Sequence, residues 1–156
     1  MATITHFMDL HAWKQCREIR IAVRQMVRGW PTDEKYRLVD QIIRSSRSST
    51  ANISEGYGRF YERDNIRFCR MAKGSLYETQ DHLVTAWDEG YITEDQFKEL
   101  FDRITRAITV LNGYVRYLNG LKASGSALSE PAAAYGSGND QVVEPPSLSN
   151  PLDADL

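Results

Sequence analysis

The stretch FKELFDRITRAITVLNGYVRYL, residues 97–118, has the most regular apolar pattern in the chain. Its apolar side chains recur every three or four residues, at Phe97, Leu100, Phe101, Ile104, Ala107, Ile108, Leu111, Tyr114, Val115 and Leu118. This period places all of them on one face of an α-helix. Just upstream, Thr93 and Gln96 have the spacing of a capping box, which predicts where that helix begins.

Three earlier stretches have the same 3.6-residue period, and none of them alternates in the way a half-buried strand would. They cover about residues 12–30, 39–57 and 64–89. Thr32 is expected to be the N-cap of the second helix, and Gly90 is expected to end the third. Four amphipathic helices joined by short loops predict an all-α fold, an antiparallel up-down-up-down four-helix bundle.

The composition of the chain changes after Lys122. Four of the five prolines lie beyond that residue, and residues 124–156 carry five acidic side chains and no basic one. Few large apolar side chains occur there, so the segment cannot bury enough surface to offset the entropy of ordering. The 156-residue sequence therefore predicts a folded domain over 6–122 and a disordered acidic tail, rich in Pro, Ser, Gly and Ala, over 123–156.

Sequence features relevant to cell location are few. No stretch approaches 18 consecutive apolar residues, and the first residues lack the charged and apolar regions of a secretory signal. The two cysteines, Cys16 and Cys69, lie inside amphipathic stripes and form neither a disulfide framework nor a CxxC motif. We expect a cytoplasmic protein with no membrane partner.

Basic residues are concentrated in the first half of the chain, with 14 Lys or Arg against 8 Asp or Glu in residues 1–73. The predicted helices 1, 2 and 3 carry a set of eleven that lie off the apolar stripes: Lys14, Arg17, Arg20, Arg24, Arg28, Arg44, Arg47, Arg59, Arg63, Arg67 and Arg70. Guanidinium groups suit bidentate contacts with phosphate, so this set predicts an anion- or nucleic-acid-binding surface. The alternative is a solvated face whose charges form pairs along each helix.

The outer faces of helices 2 and 3 also depart from those of a monomeric bundle. The segment SSRSSTANISEG surrounds helix 2 with small side chains, and Gly74 lies in the middle of helix 3 although glycine is a poor helix former. Both features allow close approach by another helix. They predict a homo-oligomer with interface positions Ser48, Asn52, Glu55, Met71, Gly74 and Glu78.

The sequence contains none of the common nucleotide-binding, metalloprotease or hydrolase motifs. A di-iron bundle requires Glu-x-x-His motifs, and none is present. Two weaker alternatives remain. One is a metal shared by Glu55, Glu78 and His82, but helical phase directs Glu78 and His82 away from the core. The other is a nucleophile pair of Cys69 with His82, but helical phase directs Cys69 into the core. We expect no enzymatic activity, no metal and no cofactor.

Several short motifs occur in a fixed order: Phe7-x-Asp9-Leu10-x-x-Trp13, Tyr36-x-Leu38-x-x-Gln41-Ile42-x-Arg44, Ser48-x-x-Ala51-Asn52-Ile53-x-Glu55-Gly56-x-Gly58-Arg59 and Ala72-x-Gly74-Ser75-x-x-Glu78. Over about residues 6–120 this order resembles the four-helix-bundle family named for proteins encoded within intervening sequences of bacterial 23S ribosomal RNA. The resemblance implies an antiparallel bundle that assembles as a homopentamer without enzymatic activity. It also implies kinship with accessory proteins of diversity-generating retroelements, which work with a reverse transcriptase and RNA.

Two functions remain open from the sequence. The first is a non-enzymatic oligomer that associates with RNA through its arginine-rich face. The second is a protein–protein scaffold, or an accessory subunit of a protein such as a reverse transcriptase, whose arginines form ion pairs between subunits.

Overall fold

The computed structural model describes residues 4–124, which form four α-helices and no strand. The helices are α1 (His11–Met26), α2 (Leu38–Tyr57), α3 (Glu62–Asp88) and α4 (Glu94–Ser124), with 3-10 turns at Phe7–Asp9, Val27–Gly29 and Thr32–Glu34. Helix α4 continues two residues past the predicted domain end. The rest of the predicted tail, residues 125–156, lies outside the described residues.

Hydrogen bonds between side chains show that neighbouring helices run in opposite directions. Ser45 of α2 contacts Thr79 of α3, with 2.9 Å between the hydroxyl oxygens, and the hydroxyl of Ser75 donates to that of Ser48 at 2.9 Å. Residue numbers therefore rise along α2 as they fall along α3. Helices α1 and α2, α2 and α3, α3 and α4, and α4 and α1 all pack together. This confirms the predicted antiparallel four-helix bundle.

The core consists of the four predicted apolar faces. Every member of the α4 stripe is buried or packs against the core. On α3, the apolar residues Cys69, Leu76 and Leu83 lie on one face and have no exposed surface. The fold is thus stabilised mainly by removal of apolar side chains from water. Within residues 4–124, no helix has an apolar stretch long enough to span a membrane.

The connection between α1 and α2 differs from the prediction. Thr32 is not the N-cap of α2, because residues 32–34 form a separate 3-10 turn and α2 begins at Leu38. The Glu34 carboxylate accepts the Leu38 N–H at 3.1 Å, so a glutamate one turn before α2 stabilises the helix start. Tyr91 donates its hydroxyl to the same carboxylate at 3.0 Å, which joins the two connections at this end of the bundle.

The connection between α3 and α4 agrees with the sequence. Gly90 has φ of 72°, and its N–H bonds to the Trp87 carbonyl at 2.9 Å, as in a Schellman termination. The Thr93 N–H donates to Gln96 Oε1 at 2.9 Å, and the Gln96 N–H donates to Thr93 Oγ1 at 3.2 Å. The predicted capping box is therefore present.

Candidate nucleic-acid interface

A groove between α1 and α2 is lined by four of the predicted basic residues. Arg20 and Arg24 lie on α1, and Arg28 lies in the 3-10 turn that follows it. Their spacing of four residues places all three on one side. Arg47 of α2 completes the set. The groove has a volume of about 260 Å³, and its other lining residues are Ile21, Gln25, Ile43 and Ser46.

Within residues 4–124, no acidic side chain pairs with the arginines of this groove. The Nε atom of Arg20 is buried and has no hydrogen-bond partner in that same range. Glu18 is the only acidic residue of α1. The groove therefore concentrates positive charge beside apolar surface, an arrangement that attracts anions.

A second basic cleft, of about 560 Å³, lies between α3 and α4. Arg63, Arg67 and Arg70 are spaced four and three residues apart at the start of α3, and Asn119 of α4 forms the opposite wall. Asp64 also lines the cleft, so three cationic groups face one carboxylate. None of the three arginines has an ion-pair partner among the described residues.

The remaining four predicted basic residues lie outside both sites. Arg44 pairs with Asp40 at 3.6 Å, and Arg59 pairs with Glu55 and lies 4.9 Å from the centre of the Phe68 ring. Lys14 and Arg17 are exposed on α1 but do not line the groove. A helical wheel of α1 places Arg17 on the same side as Arg24 and Arg28. In the structure, however, Arg20 and not Arg17 lines the groove with them, since α2 packs on the Arg20 side of α1.

The two basic sites face different directions. In the helix order around the bundle, the α1–α2 face lies opposite the α3–α4 face. The groove uses the C-terminal half of α1, the cleft uses the N-terminal part of α3, and these two helices run parallel. The sites are therefore on opposite faces and toward opposite ends. The eleven basic residues predicted as one set do not form one continuous surface.

The six predicted interface residues lie together on the outer face of α2 and α3. Ser48 accepts hydrogen bonds from the Ser75 hydroxyl at 2.9 Å and from Asn52 Nδ2 at 3.1 Å, which places them at the seam between the two helices. Glu55 continues the row on α2, and Met71, Gly74 and Glu78 are exposed along α3. Apart from its chain neighbours and the backbone of α3 itself, no atom of the described residues comes within 4 Å of a Cβ built at Gly74.

The alternative chemistries find little support among the described side chains. Burial raises the pKa of both cysteine thiols, Cys16 and Cys69, to about 12, so neither is a thiolate nucleophile near neutral pH. Residues 4–121 contain no cluster of three His, Cys, Asp or Glu side chains that could hold a metal. His82 lies 3.5 Å from Glu78. Its predicted outward orientation is wrong, because only 13% of the side chain is exposed.

Sequence reasoning did not anticipate the aromatic turn between α2 and α3. Phe60 and Tyr61 lie there with 90% and 64% of their surface exposed. The sequence offers one indication of their exposure, since both residues fall between two apolar stripes and belong to neither. Tyr61 lines a shallow depression of about 350 Å³ with Glu62, Arg63 and Asp64.

Comparison with known proteins gives one family. The model of the 23S rRNA-intervening sequence protein family matches residues 8–113, which include all of α1, α2 and α3 and most of α4. A search of curated proteins gives no significant match. Since the match covers more than half of the chain, the protein belongs to the 23S rRNA-intervening sequence protein family.

Proposed function

We propose that this protein is a non-enzymatic oligomer that associates with RNA through its arginine clusters. The observation that carries the proposal is the α1–α2 groove, where Arg20, Arg24, Arg28 and Arg47 have no ion-pair partner among residues 4–124. Guanidinium groups bind phosphate bidentately. A row of them at one-turn spacing suits a polyanion better than a single small anion.

The contacts expected in the groove determine the kind of recognition. Phosphate contacts fix the position of a nucleic acid without selecting its sequence. Gln25 and Ser46, which also line the groove, can add hydrogen bonds to ribose or phosphate oxygens. We therefore propose binding that depends on charge and shape more than on base sequence.

The proposal includes assembly and location. We place the homo-oligomer contact on the α2–α3 outer face, where Gly74 and Ser48 permit close approach, and we take the homopentamer from the family resemblance. We propose a cytoplasmic protein whose partners are further copies of itself, RNA and, by the same resemblance, a reverse transcriptase. Arg20, Arg24 and Arg28 line the groove from α1, outside the α2–α3 face, and we propose that assembly on that face leaves these three arginines accessible.

In a second candidate function, the same arginines bind another protein subunit in place of RNA. In this scaffold or accessory-subunit role, groove arginines pair with exposed carboxylates of another subunit. Glu78 supports it, because its side chain is 59% exposed and, among the described residues, no Lys or Arg pairs with it. The two functions differ in whether RNA or a second protein neutralises the groove.

The test is the salt dependence of RNA binding. A labelled structured RNA is titrated with the parent protein, with Arg24→Glu and with Arg106→Glu at several salt concentrations. Each neutralised phosphate contributes roughly 0.7 to 0.9 to the log–log slope, so four arginines predict a slope magnitude near 3 per groove. Arg106 is exposed on α4 outside both basic sites, which makes its reversal a control matched in charge.

The expected result is weaker binding by Arg24→Glu for all RNA sequences, a smaller slope, and an unchanged oligomer mass. Arg106→Glu should bind like the parent. If the parent has no RNA affinity even at low salt, and Arg24→Glu changes the oligomer mass, the arginines are intersubunit partners and the scaffold function replaces the proposal.

A further inference from the structure

The turn between α2 and α3 presents two aromatic rings to solvent at one end of the bundle. Phe60 and Tyr61 are 90% and 64% exposed. Their ring centres are 5.0 Å apart and their planes are nearly perpendicular, at 88°. This edge-to-face contact orients the rings relative to each other, and no other part of residues 4–124 covers the Phe60 ring.

These rings adjoin the basic cleft of α3. Tyr61 and Arg63 line one depression, and Arg63 also lines the larger cleft with Arg67 and Arg70. Aromatic and cationic surfaces are therefore continuous. Asp64 borders both depressions, but three arginines without ion-pair partners in the described range outweigh it in the larger cleft.

The neighbours of the rings distinguish among possible ligands. Aromatic residues and Arg are enriched in protein–protein interfaces as well, and Glu62 and Asp64 also border the depression beside Tyr61. What favours a nucleic acid here is the adjoining cleft, in which three arginines without ion-pair partners among the described residues lie next to the rings. Proteins that bind single-stranded nucleic acid combine aromatic side chains, on which bases stack, with a positive groove along the backbone. In an RNA duplex the bases stack on each other, so their faces are not available to the rings.

We propose that this end of the bundle binds unpaired nucleotides of an RNA, with bases stacked on Phe60 and Tyr61 and phosphates held by Arg63, Arg67 and Arg70. This site deepens the proposed RNA association and rests on it, but it is separate from the α1–α2 groove. It gives the protein a preference for loops, bulges and single-stranded ends that phosphate contacts alone do not provide.

The experiment compares two RNA probes of equal sequence: an unstructured strand of about ten nucleotides, within the usual site size, and the corresponding duplex. The affinity of each is measured for the parent, Phe60→Ala and Tyr36→Ala. Tyr36 is a matched control because it is 83% exposed and lies at the other end of the bundle. Phe60 is so exposed that its truncation should leave circular dichroism and thermal unfolding unchanged.

Phe60→Ala is expected to weaken binding of the single strand about tenfold, since stacking contributes about 1–3 kcal/mol per base, and to leave duplex binding unchanged. Tyr36→Ala should change neither. Phe60→Trp should retain the affinity, and its added fluorescence should be quenched by the single strand. The native tryptophans also emit, but Trp30 and Trp87 are buried and Trp13 is partly so, so the bound strand should quench them much less than the new ring.

Failure of this inference differs from failure of the proposed function. If Phe60→Ala binds the single strand like the parent, while salt-dependent RNA binding persists, the inference is wrong and the proposed function stands. A changed oligomer mass in Phe60→Ala would make the turn a contact between copies and would also overturn the inference. If the parent binds neither probe at low salt, the proposed function fails and the inference fails with it.

Discussion

Gly56 and Gly74 both lie inside helices, yet their surroundings differ completely. A Cβ built at Gly56 would lie 2.8 Å from Asn65 Oδ1 and 2.8 Å from Phe68 Cβ, whereas one at Gly74 would meet nothing within 4 Å. Helical phase predicts the exposure of Gly74. It cannot predict the role of Gly56, because the small residues of α2 allow close approach by another helix but do not show that α3 makes that approach at this position.

We predict that Gly56→Ala destabilises the protein by about 1–3 kcal/mol, the usual cost of overpacking. Helix propensity alone would favour alanine by up to about 1 kcal/mol. The clash dominates because Phe68 Cβ is attached directly to the α3 backbone and cannot rotate away. Urea unfolding followed by circular dichroism measures the change. In the control Gly120→Ala, the new methyl group meets nothing within 4 Å, so the free energy of unfolding should stay the same or rise. Equal urea midpoints for Gly56→Ala and the parent would contradict the prediction.

At the scale of elements, α2 shows what periodicity can and cannot predict. The apolar stripe correctly identifies the buried face, since Ile42 and Ile53 have no exposed surface. The small residues on α2 predict close helix approach, and much of that approach occurs within the chain: Ser45, Ser46 and Ser49 are buried. Each serine hydroxyl donates to a carbonyl three residues earlier, so burial leaves it with a partner. The serine pattern is therefore weaker evidence for a subunit contact than the sequence alone indicates.

The start of α4 allows a prediction at the same scale. Thr93→Ala removes the oxygen that accepts the Gln96 N–H at 3.2 Å and should lower the free energy of unfolding by about 1 kcal/mol, as loss of an N-cap does. Thr93→Ser keeps that oxygen and should stay close to the parent. Thermal unfolding of the two variants side by side measures the difference. Equal melting temperatures for Thr93→Ala and Thr93→Ser would show that the capping oxygen contributes nothing.

For the whole molecule, the fold was easier to predict than the candidate site. Each apolar stripe is a property of one helix, so burial of four stripes follows from four independent local patterns. A groove between helices depends on which faces pack side by side. Arg17 and Arg20 both lie off the apolar stripe of α1. Only the position of α2 shows that Arg20 lines the groove and that Arg17 does not. The aromatic turn at Phe60 carried no periodic signal at all.

The α2–α3 outer face determines the last prediction, which concerns assembly. Met71 is 48% exposed beside Gly74, and outside the backbone of α3 no atom of the described residues lies within 4 Å of a Cβ placed on that glycine. A second copy can therefore approach α3 closely there. We expect light scattering at micromolar concentration to give a mass well above the 17.8 kDa of one chain, near five copies as the family resemblance implies.

Gly74→Leu should lower that mass, because a branched side chain at the closest point of approach separates the two surfaces. Helical circular dichroism should persist, since the leucine points into open space in the single chain. Gly120→Leu is the matched control: it adds the same side chain to an exposed helical glycine outside the predicted face, and its mass should equal that of the parent. A parent protein that is monomeric would refute the oligomer. If Gly74→Leu instead keeps the parent mass, a different face of the bundle joins the copies. Gly74 is then a poor helix former on a solvent-exposed face, without a role in assembly.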